Sequence, residues 1–307
     1  MTEQDGALLE LLRALDARGY SFVTPTPDTH RIVWRRPMPE RGLREVFGWS
    51  RAFDPGRLDP ELERLMEAGD VLGRRGRRRF STVRVSTVHG RLFLHSAFPT
   101  KAADSVFLGP DTYRFADFIR RELAGAGGVR TLVDIGTGAG VGAIVAALAC
   151  PGAEVIGTDI NDRAVQLARI NATHAGVRMD CVETSGLDAV TGPLDLVVAN
   201  PPYIGGRSGR TYRDGGDMLG ARLSYDWAQA VAQRLAPGGR MLLYTGSAIV
   251  GGVDGFRTAL AEMLEGEGCD LRYEELDPDI FTNQLRDPAY FTVERIAAVG
   301  AVVTKRG

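Results

Sequence analysis

Cysteine is scarce in this chain. The three present, Cys150, Cys181 and Cys269, are far apart and odd in number. That spacing excludes a disulfide framework or a zinc site and points to a reducing cytoplasm. The four histidines, His30, His89, His95 and His174, form no metal pattern either. No long hydrophobic run is present. The longest, Val141 to Ala149, falls well short of the roughly 20 residues that cross a bilayer, which argues against a membrane partner. The N-terminus carries no targeting pattern: it is acidic, and Leu8, Leu11, Leu12 and Leu15 share one helical face. Net charge is also small, −2 with a pI of about 6.1, so nothing pulls the whole molecule toward nucleic acid or a membrane surface. There is no internal repeat and no low-complexity tract.

What is present is a chain of 307 residues, 44% hydrophobic and 25% charged, long enough for two cores. The charge is uneven. Residues 1–100 hold 17 Arg against 13 Asp and Glu, a net of +4, and the remainder has a net of −6. Residues 1–103 are expected to form a smaller α+β domain that recognises the substrate. Helices are predicted over Gly6–Arg18 and Asp59–Ala68, with Ser21–Asp28 as a connection and Arg31–Trp34 as a short strand. Phe80–Ser86 and Arg91–His95 read as a hairpin around Val88-His89-Gly90. The run Arg74-Arg75-Gly76-Arg77-Arg78-Arg79, with Phe80, His89 and Phe93 near it, has the makings of a phosphate-binding, base-stacking surface. Nearby acids favour a solvated loop instead. Trp34 and Trp49 read as core of the small domain.

From Asp104 the pattern becomes alternating strands and helices, the mark of a parallel sheet with crossover helices. Phe107-Leu108-Gly109-Pro110-Asp111-Thr112 leads into a helix over Tyr113–Leu123. Thr131–Ile135 is a strand, Gly136-Thr137-Gly138-Ala139-Gly140 a turn, and Val141–Cys150 a helix. The glycines allow a tight turn and close approach of a ligand, and the helix start offers free N–H groups. Glu154–Thr158 is the next strand, ending at Asp159-Ile160-Asn161. An acid there can accept both hydroxyls of a ribose. Asn161 reaches an adenine or caps the helix Asp162–His174. Nucleotide dehydrogenases share this geometry, but their loop is Gly-x-Gly-x-x-Gly and Val141 occupies the third glycine position. Asp134 at the first strand end would repel a pyrophosphate; it can hold the turn or face a ligand ammonium.

A buried strand, Leu194–Ala199, then ends abruptly in Asn200-Pro201-Pro202-Tyr203. Two prolines remove two backbone donors and stiffen the corner. The corner sits at the carboxyl end of a strand, where open α/β sheets place ligands. An amide side chain, carbonyls without ladder partners and an aromatic face suit a planar NH2 group. The segment Ile204–Arg222, rich in glycine and containing Arg207, Arg210, Arg213 and Arg222, is a candidate lid. A helix over Leu223–Leu235, a strand over Arg240–Thr245, a helix near Asp254–Leu264, a strand over Leu271–Leu276 and a final strand or bent pair over Phe291–Val303 complete the pattern. Asp277–Tyr290 reads as a loop whose Phe281, Asn283 and Tyr290 wall the acceptor pocket or simply pack.

Together, Asp134-Ile135-Gly136-Thr137-Gly138-Ala139-Gly140, Asp159 and Asn200-Pro201-Pro202-Tyr203 resemble the class I S-adenosylmethionine-dependent methyltransferases, and within them the protein-(glutamine-N5) methyltransferases of the HemK type. The resemblance covers about residues 104–250. It implies a Rossmann-like fold over residues 104–307, with a seven-stranded, mostly parallel sheet and helices on both faces. It implies S-adenosyl-L-methionine as cofactor. Gly136, Gly138 and Gly140 would line the methionine end and Asp159 the ribose. Asp134, Thr137, Ile160, Asn161, Leu187 and Asn200 would complete the cofactor set. Asn200, Pro201, Pro202 and Tyr203 would grip the acceptor nitrogen, and Pro110-Asp111-Thr112 resembles the segment that the group places over the cofactor. The chain departs from the group at Ser185-Gly186-Leu187-Asp188, where an acid and a bulky aromatic are usual, and in its first hundred residues, which are not all-helical. Three acceptors follow: a protein glutamine amide from the resemblance, a small-molecule nitrogen from the unfamiliar N-terminal region, and a nucleobase amine from the motif and the arginine run, the last opposed by the pI.

Overall fold

The central strands are mostly apolar because helices cover both of their faces. The computed structural model describes residues 1–37, 42–125, 127–205, 215–216 and 218–307. In chain order its elements begin with α1 (Glu3–Ala17), α2 (Pro27–Trp34), α3 (Leu43–Phe47) and α4 (Pro60–Ala68), then β1 (Leu72–Arg75), β2 (Arg78–Ser81), β3 (Val83–Val88) and β4 (Arg91–Ser96). Next come α5 (Pro110–Glu122), β5 (Thr131–Ile135), α6 (Val141–Ala149), β6 (Glu154–Asp159), α7 (Asp162–Ala175), β7 (Asp180–Glu183) and β8 (Leu194–Ala199). The chain closes with α8 (Arg222–Ala232), β9 (Leu235–Val250), β10 (Val253–Asp254), α9 (Gly255–Gly266), β11 (Cys269–Asp277) and β12 (Arg295–Lys305).

The main sheet has the order β11-β12-β9-β8-β5-β6-β7, with β10 attached to β9. Neighbours from β7 to β9 are parallel, and β12 runs antiparallel between β9 and β11. The order leaves β5 in both directions, toward β6 and toward β8. The crevice beyond its carboxyl end is therefore the switch point of the sheet. Along β5, Leu132 faces one core while Val133 and Ile135 face another. The first core runs without interruption from the N-terminal helices through α5, α6 and α7. The second lies under α8 and α9.

The N-terminal region is held by apolar area and by one buried amide. Leu8, Leu11, Leu12 and Leu15 of α1 are fully buried, each contributing roughly 2 kcal/mol. A capping box, Thr2 with Asp5, starts that helix, and Gln166 of α7 donates to Asp5 at 2.7 Å. Asn171 of α7 is also fully buried. It accepts from Leu94 N at 2.8 Å and donates to Leu94 O at 3.0 Å and Ala139 O at 2.9 Å. One side chain thus links β4 to the glycine turn after β5.

Several expectations are corrected. Residues 31–34 are the end of helix α2, not a strand: Thr26 caps it and Pro27 opens it, and those start signals outweigh the β-branched Ile32 and Val33. Trp34 is 45% exposed rather than core, whereas Trp49 packs on Phe22 with ring centroids 5.2 Å apart. The arginine run is a β1–β2 hairpin, with Arg74 opposite Arg79 and Arg75 opposite Arg78. Acids disperse the repulsion: Arg74 pairs with Glu67, Arg78 with Asp54 and Arg79 with Glu63. The second hairpin is β3–β4, turning at His89 and Gly90, so Phe80 belongs to the first. Helix α5 begins at Pro110, the proline acting as a first-turn residue. Helix α8 stops at Ala232, and Pro237-Gly238-Gly239 lies within β9. The last strand is single and begins at Arg295, leaving Phe291 90% exposed.

Candidate cofactor and acceptor site

The carboxyl ends of β5, β6 and β8 open onto one cavity of about 1010 Å³. Of the residues expected there, Asp134, Gly136, Thr137, Gly138, Asp159, Ile160, Asn161, Asn200, Pro201, Pro202 and Tyr203 line it. Gly140 sits beneath, at the N-cap of α6, with Ala168 of α7 only 3.3 Å from where a side chain would start. Leu187 is not in the wall. It is buried in the second core, and Thr184, Ser185 and Gly186 take its place. The candidate lid falls largely on residues 206–214 and 217, outside the described residues.

The turn after β5 is shaped by what it must avoid. Gly136 has φ +66° and a Cβ there would lie 2.8 Å from the Trp227 ring. Gly138 has φ +54°, and a Cβ there would meet only Gly136 O, at 4.0 Å, so it would project into the open cavity. Asp134 holds the turn from below: its Oδ2 accepts from Thr137 Oγ1 at 2.7 Å and from Ala143 N at 2.8 Å. It is 2% exposed, and burial pushes its pKa up to about 7 against those two hydrogen bonds. The sequence left open whether Asp134 holds the turn or faces a ligand, and its carboxylate is spent on the turn.

Asp159, at the end of β6, accepts from Gly138 N at 2.9 Å and from Asn161 N at 3.0 Å. Burial raises its pKa and these bonds oppose the rise. Beside it Ile160 is 56% exposed, an apolar surface on the rim of a polar turn. Asn161 caps α7, accepting from Arg163 N at 3.1 Å, and donates to Asp104 O at 2.9 Å. Its amide is thus engaged by the protein itself.

At the end of β8 the chain turns at Pro201 and Pro202. Among the described residues, neither the half-buried Asn200 side chain nor the Pro201 carbonyl has a hydrogen-bond partner. Two unpaired acceptors at a rigid corner are what an NH2 group requires. The Tyr203 ring lies over Gly246, where a Cβ would be 2.4 Å away. Its edges meet Tyr244 and Phe281 at centroid distances of 6.3 and 5.8 Å. Its hydroxyl faces Asp111, and burial with that charge holds its pKa well above the ordinary value. Asp111 also accepts from Tyr244 at 3.0 Å and lies 3.4 Å from Arg114, which bonds Asp277 at 2.6 Å. Burial raises the Asp111 pKa.

The far wall comes from elsewhere in the chain. Residues 279–284 line the cavity, Gln284 donates to Gly205 O at 3.2 Å, and Tyr290 accepts from Gly205 N at 2.7 Å. Asn283 donates to Asp28 Oδ2 at 2.5 Å, bridging to the start of α2. Trp227, Phe98, Phe107 and Arg31 also line the space. No signal in a single sequence marks Trp227, because an aromatic on an amphipathic helix reads as core.

A family model described as Methyltransferase small domain matches residues 118–246. Over 81 residues the chain is 44% identical to the release factor glutamine methyltransferase of Chlorobaculum tepidum, covering 24% of this chain and 28% of that protein. Over 231 residues it is 29% identical to the release factor glutamine methyltransferase of Cereibacter sphaeroides, covering 68% of this chain and 78% of that one. The chain spans no more than about half the length of several curated relatives that it matches, from 26% to 50%. Among solved structures, Trm5b from Pyrococcus abyssi is similar at a TM-score of 0.52 and 13% identity, over 80% of this chain and 68% of that one. At that identity the likeness concerns the fold alone.

Proposed function

We propose that this chain, which has the class I methyltransferase fold and carries a methyltransferase small domain, transfers a methyl group from S-adenosylmethionine to a planar nitrogen. The favoured acceptor is a glutamine amide, the substrate in the names of its curated relatives. One observation carries the reading: two acceptor oxygens at Asn200 and Pro201, unpartnered among the described residues, share a cavity with an open glycine turn.

The residues fit the cofactor. The open face at Gly138 admits its amino-acid end, the Asp159 carboxylate suits ribose hydroxyls, and the exposed Ile160 suits a flat purine. S-adenosylmethionine supplies the reactive group, a methyl on a positively charged sulfur. The protein's task is then to orient the acceptor and shift its electrons. An amide nitrogen is a poor nucleophile because its lone pair is delocalised into the carbonyl. Hydrogen bonds from the NH2 to Asn200 Oδ1 and Pro201 O favour a pyramidal nitrogen and return the lone pair to it. The Tyr203 ring, fixed by Gly246, Tyr244 and Phe281, limits tilting of the acceptor plane. The methylated nitrogen is strongly acidic, so no dedicated base is needed beside the corner. Incubating the protein with tritiated S-adenosylmethionine and fractionated lysate, then scoring label in protein, RNA and small molecules, tests the reading. Label at a glutamine nitrogen is expected, and no label in any fraction refutes methyl transfer.

A further inference from the structure

A second, smaller pocket lies behind the wall that the N-terminal region contributes to the cavity. Its volume is about 10 Å³, the space of one water-sized atom. Phe98 and Phe107 line both spaces, so the small pocket adjoins the large one. Thr24, His30, Arg84 and His95 share its wall with Pro25, Pro27, Thr100 and Leu108.

Arg84 on β3 is the anomaly. It is 4% exposed, and among the described residues no carboxylate lies within ion-pair distance of it. Its contacts are neutral: Nη2 donates to Thr24 Oγ1 at 3.3 Å, and the guanidinium lies 5.6 Å from the centre of the Phe22 ring. Its Nε is buried with no partner among the described residues. Arginine is almost never buried without a counter-charge, because desolvation of a cation costs more than a ring face returns. The groups around it do not supply one. His95 Nε2 lies 2.8 Å from Ser86 Oγ, and Ser86 Oγ lies 2.5 Å from Thr24 Oγ1, a neutral chain. Burial, and after it the nearby Arg84 charge, hold both His30 and His95 below their ordinary pKa, so both rings are neutral. His30 Nε2 lies 3.1 Å from the Trp49 carbonyl, which makes Nε2 the protonated nitrogen. Its Nδ1 is then a buried lone pair, also without a partner among the described residues.

We propose that this pocket is a subsite for one carboxylate oxygen of the methyl acceptor, with Arg84 as its counter-charge. The proposal rests on the methyl-transfer reading above and narrows it to acceptors that carry a carboxylate. The pocket is too small for a phosphate, whose four oxygens surround a central atom, whereas one carboxylate oxygen can enter while the rest of the molecule stays in the large cavity. A structural role for Arg84 makes the opposite demand, since a cation kept only for its packing on Phe22 needs no ligand.

Titration of the full-length protein with glycolate, formate and inorganic phosphate, followed by calorimetry, separates these cases. Wild type should bind glycolate and formate, and phosphate least. Arg84→Met should weaken glycolate at least about tenfold, and Arg84→Lys should retain part of the affinity. Arg84→Met should also melt at a higher temperature than wild type without ligand, because it removes an uncompensated buried charge. A lower melting point together with unchanged glycolate affinity overturns the proposal. If Arg84→Met does not fold, the wild-type titration still decides, and absence of glycolate binding there overturns it. In a second arm, lysate acceptors are capped at carboxylates with carbodiimide and ethanolamine before incubation with tritiated cofactor. Loss of label supports the subsite, and undiminished label overturns it. No label in uncapped lysate refutes methyl transfer and leaves the glycolate titration to judge the pocket.

Discussion

The two ends of the cavity are built in different ways. The glycine-turn end comes from one stretch of about 30 residues, and its polar groups are answered locally: Asp134 by Thr137 and Ala143, Asp159 by Gly138 and Asn161. The far end is gathered from α2, residues 98–107 and residues 279–284. There the polar groups meet partners distant in sequence, as Asn283 meets Asp28. A cofactor is the same molecule in every enzyme that uses it, so a short pre-satisfied turn suffices. An acceptor differs from enzyme to enzyme, and a wall of separate loops can be altered piece by piece.

Four substitutions probe that contrast. The largest effect is expected at the corner between the ends. Asn200→Ala should lower turnover by about 10²- to 10³-fold while calorimetric affinity for S-adenosylhomocysteine holds. Equal loss of both would make Asn200 structural and erase the distinction. Next is the joint between the two regions. Asn171→Leu strands two carbonyls and an N–H that are buried, and should cost about 3 kcal/mol in denaturant unfolding. A neutral result would mean that the regions are joined by apolar packing alone.

The third acts within the glycine-turn end. The folded-state pKa of Asp134 lies near 7, above its ordinary 3.8, so the folded chain holds an extra proton between those values. Stability is therefore lost as pH rises through that window. From pH 5 to pH 7 the wild type should lose about 2 kcal/mol that Asp134→Asn does not lose. Parallel curves for the two proteins would show the carboxylate to be charged throughout. The smallest effect belongs to the far wall. Asn283→Ala removes the bridge to Asp28, and should raise the KM for the acceptor about two- to fivefold with kcat and cofactor affinity unchanged. A change in cofactor affinity instead would mean that the ends are coupled.

The same contrast explains what was legible in the sequence. The strands β5, β6 and β8, the glycine turn and the diproline corner were readable because each is dictated by near neighbours: a continuous apolar run, a forced φ or a missing N–H. Helix α2 was misread because Ile32, Val33 and Trp34 are good strand residues. Their context, a Thr-Pro start with its apolar side chains left exposed, prevailed. The arginine run was misread because like charges discourage pairing, and the acids that permit it lie at Asp54, Glu63 and Glu67. Leu187 was assigned to the wall through the family resemblance, yet it lies in the turn after β7 and is buried in the second core.

By itself the sequence determined the parallel sheet, the turn and the Asn-Pro-Pro-Tyr corner, because backbone sterics and apolar periodicity act over a few residues. Only the tertiary structure decided which groups end without partners. Among the described residues, the unpartnered Asn200 amide, His30 Nδ1 and Arg84 Nε depend on what other segments bring within hydrogen-bond distance of them. Hydrogen bonds and ion pairs are short-ranged, so whether a polar group is answered depends on three-dimensional proximity, which chain order does not specify.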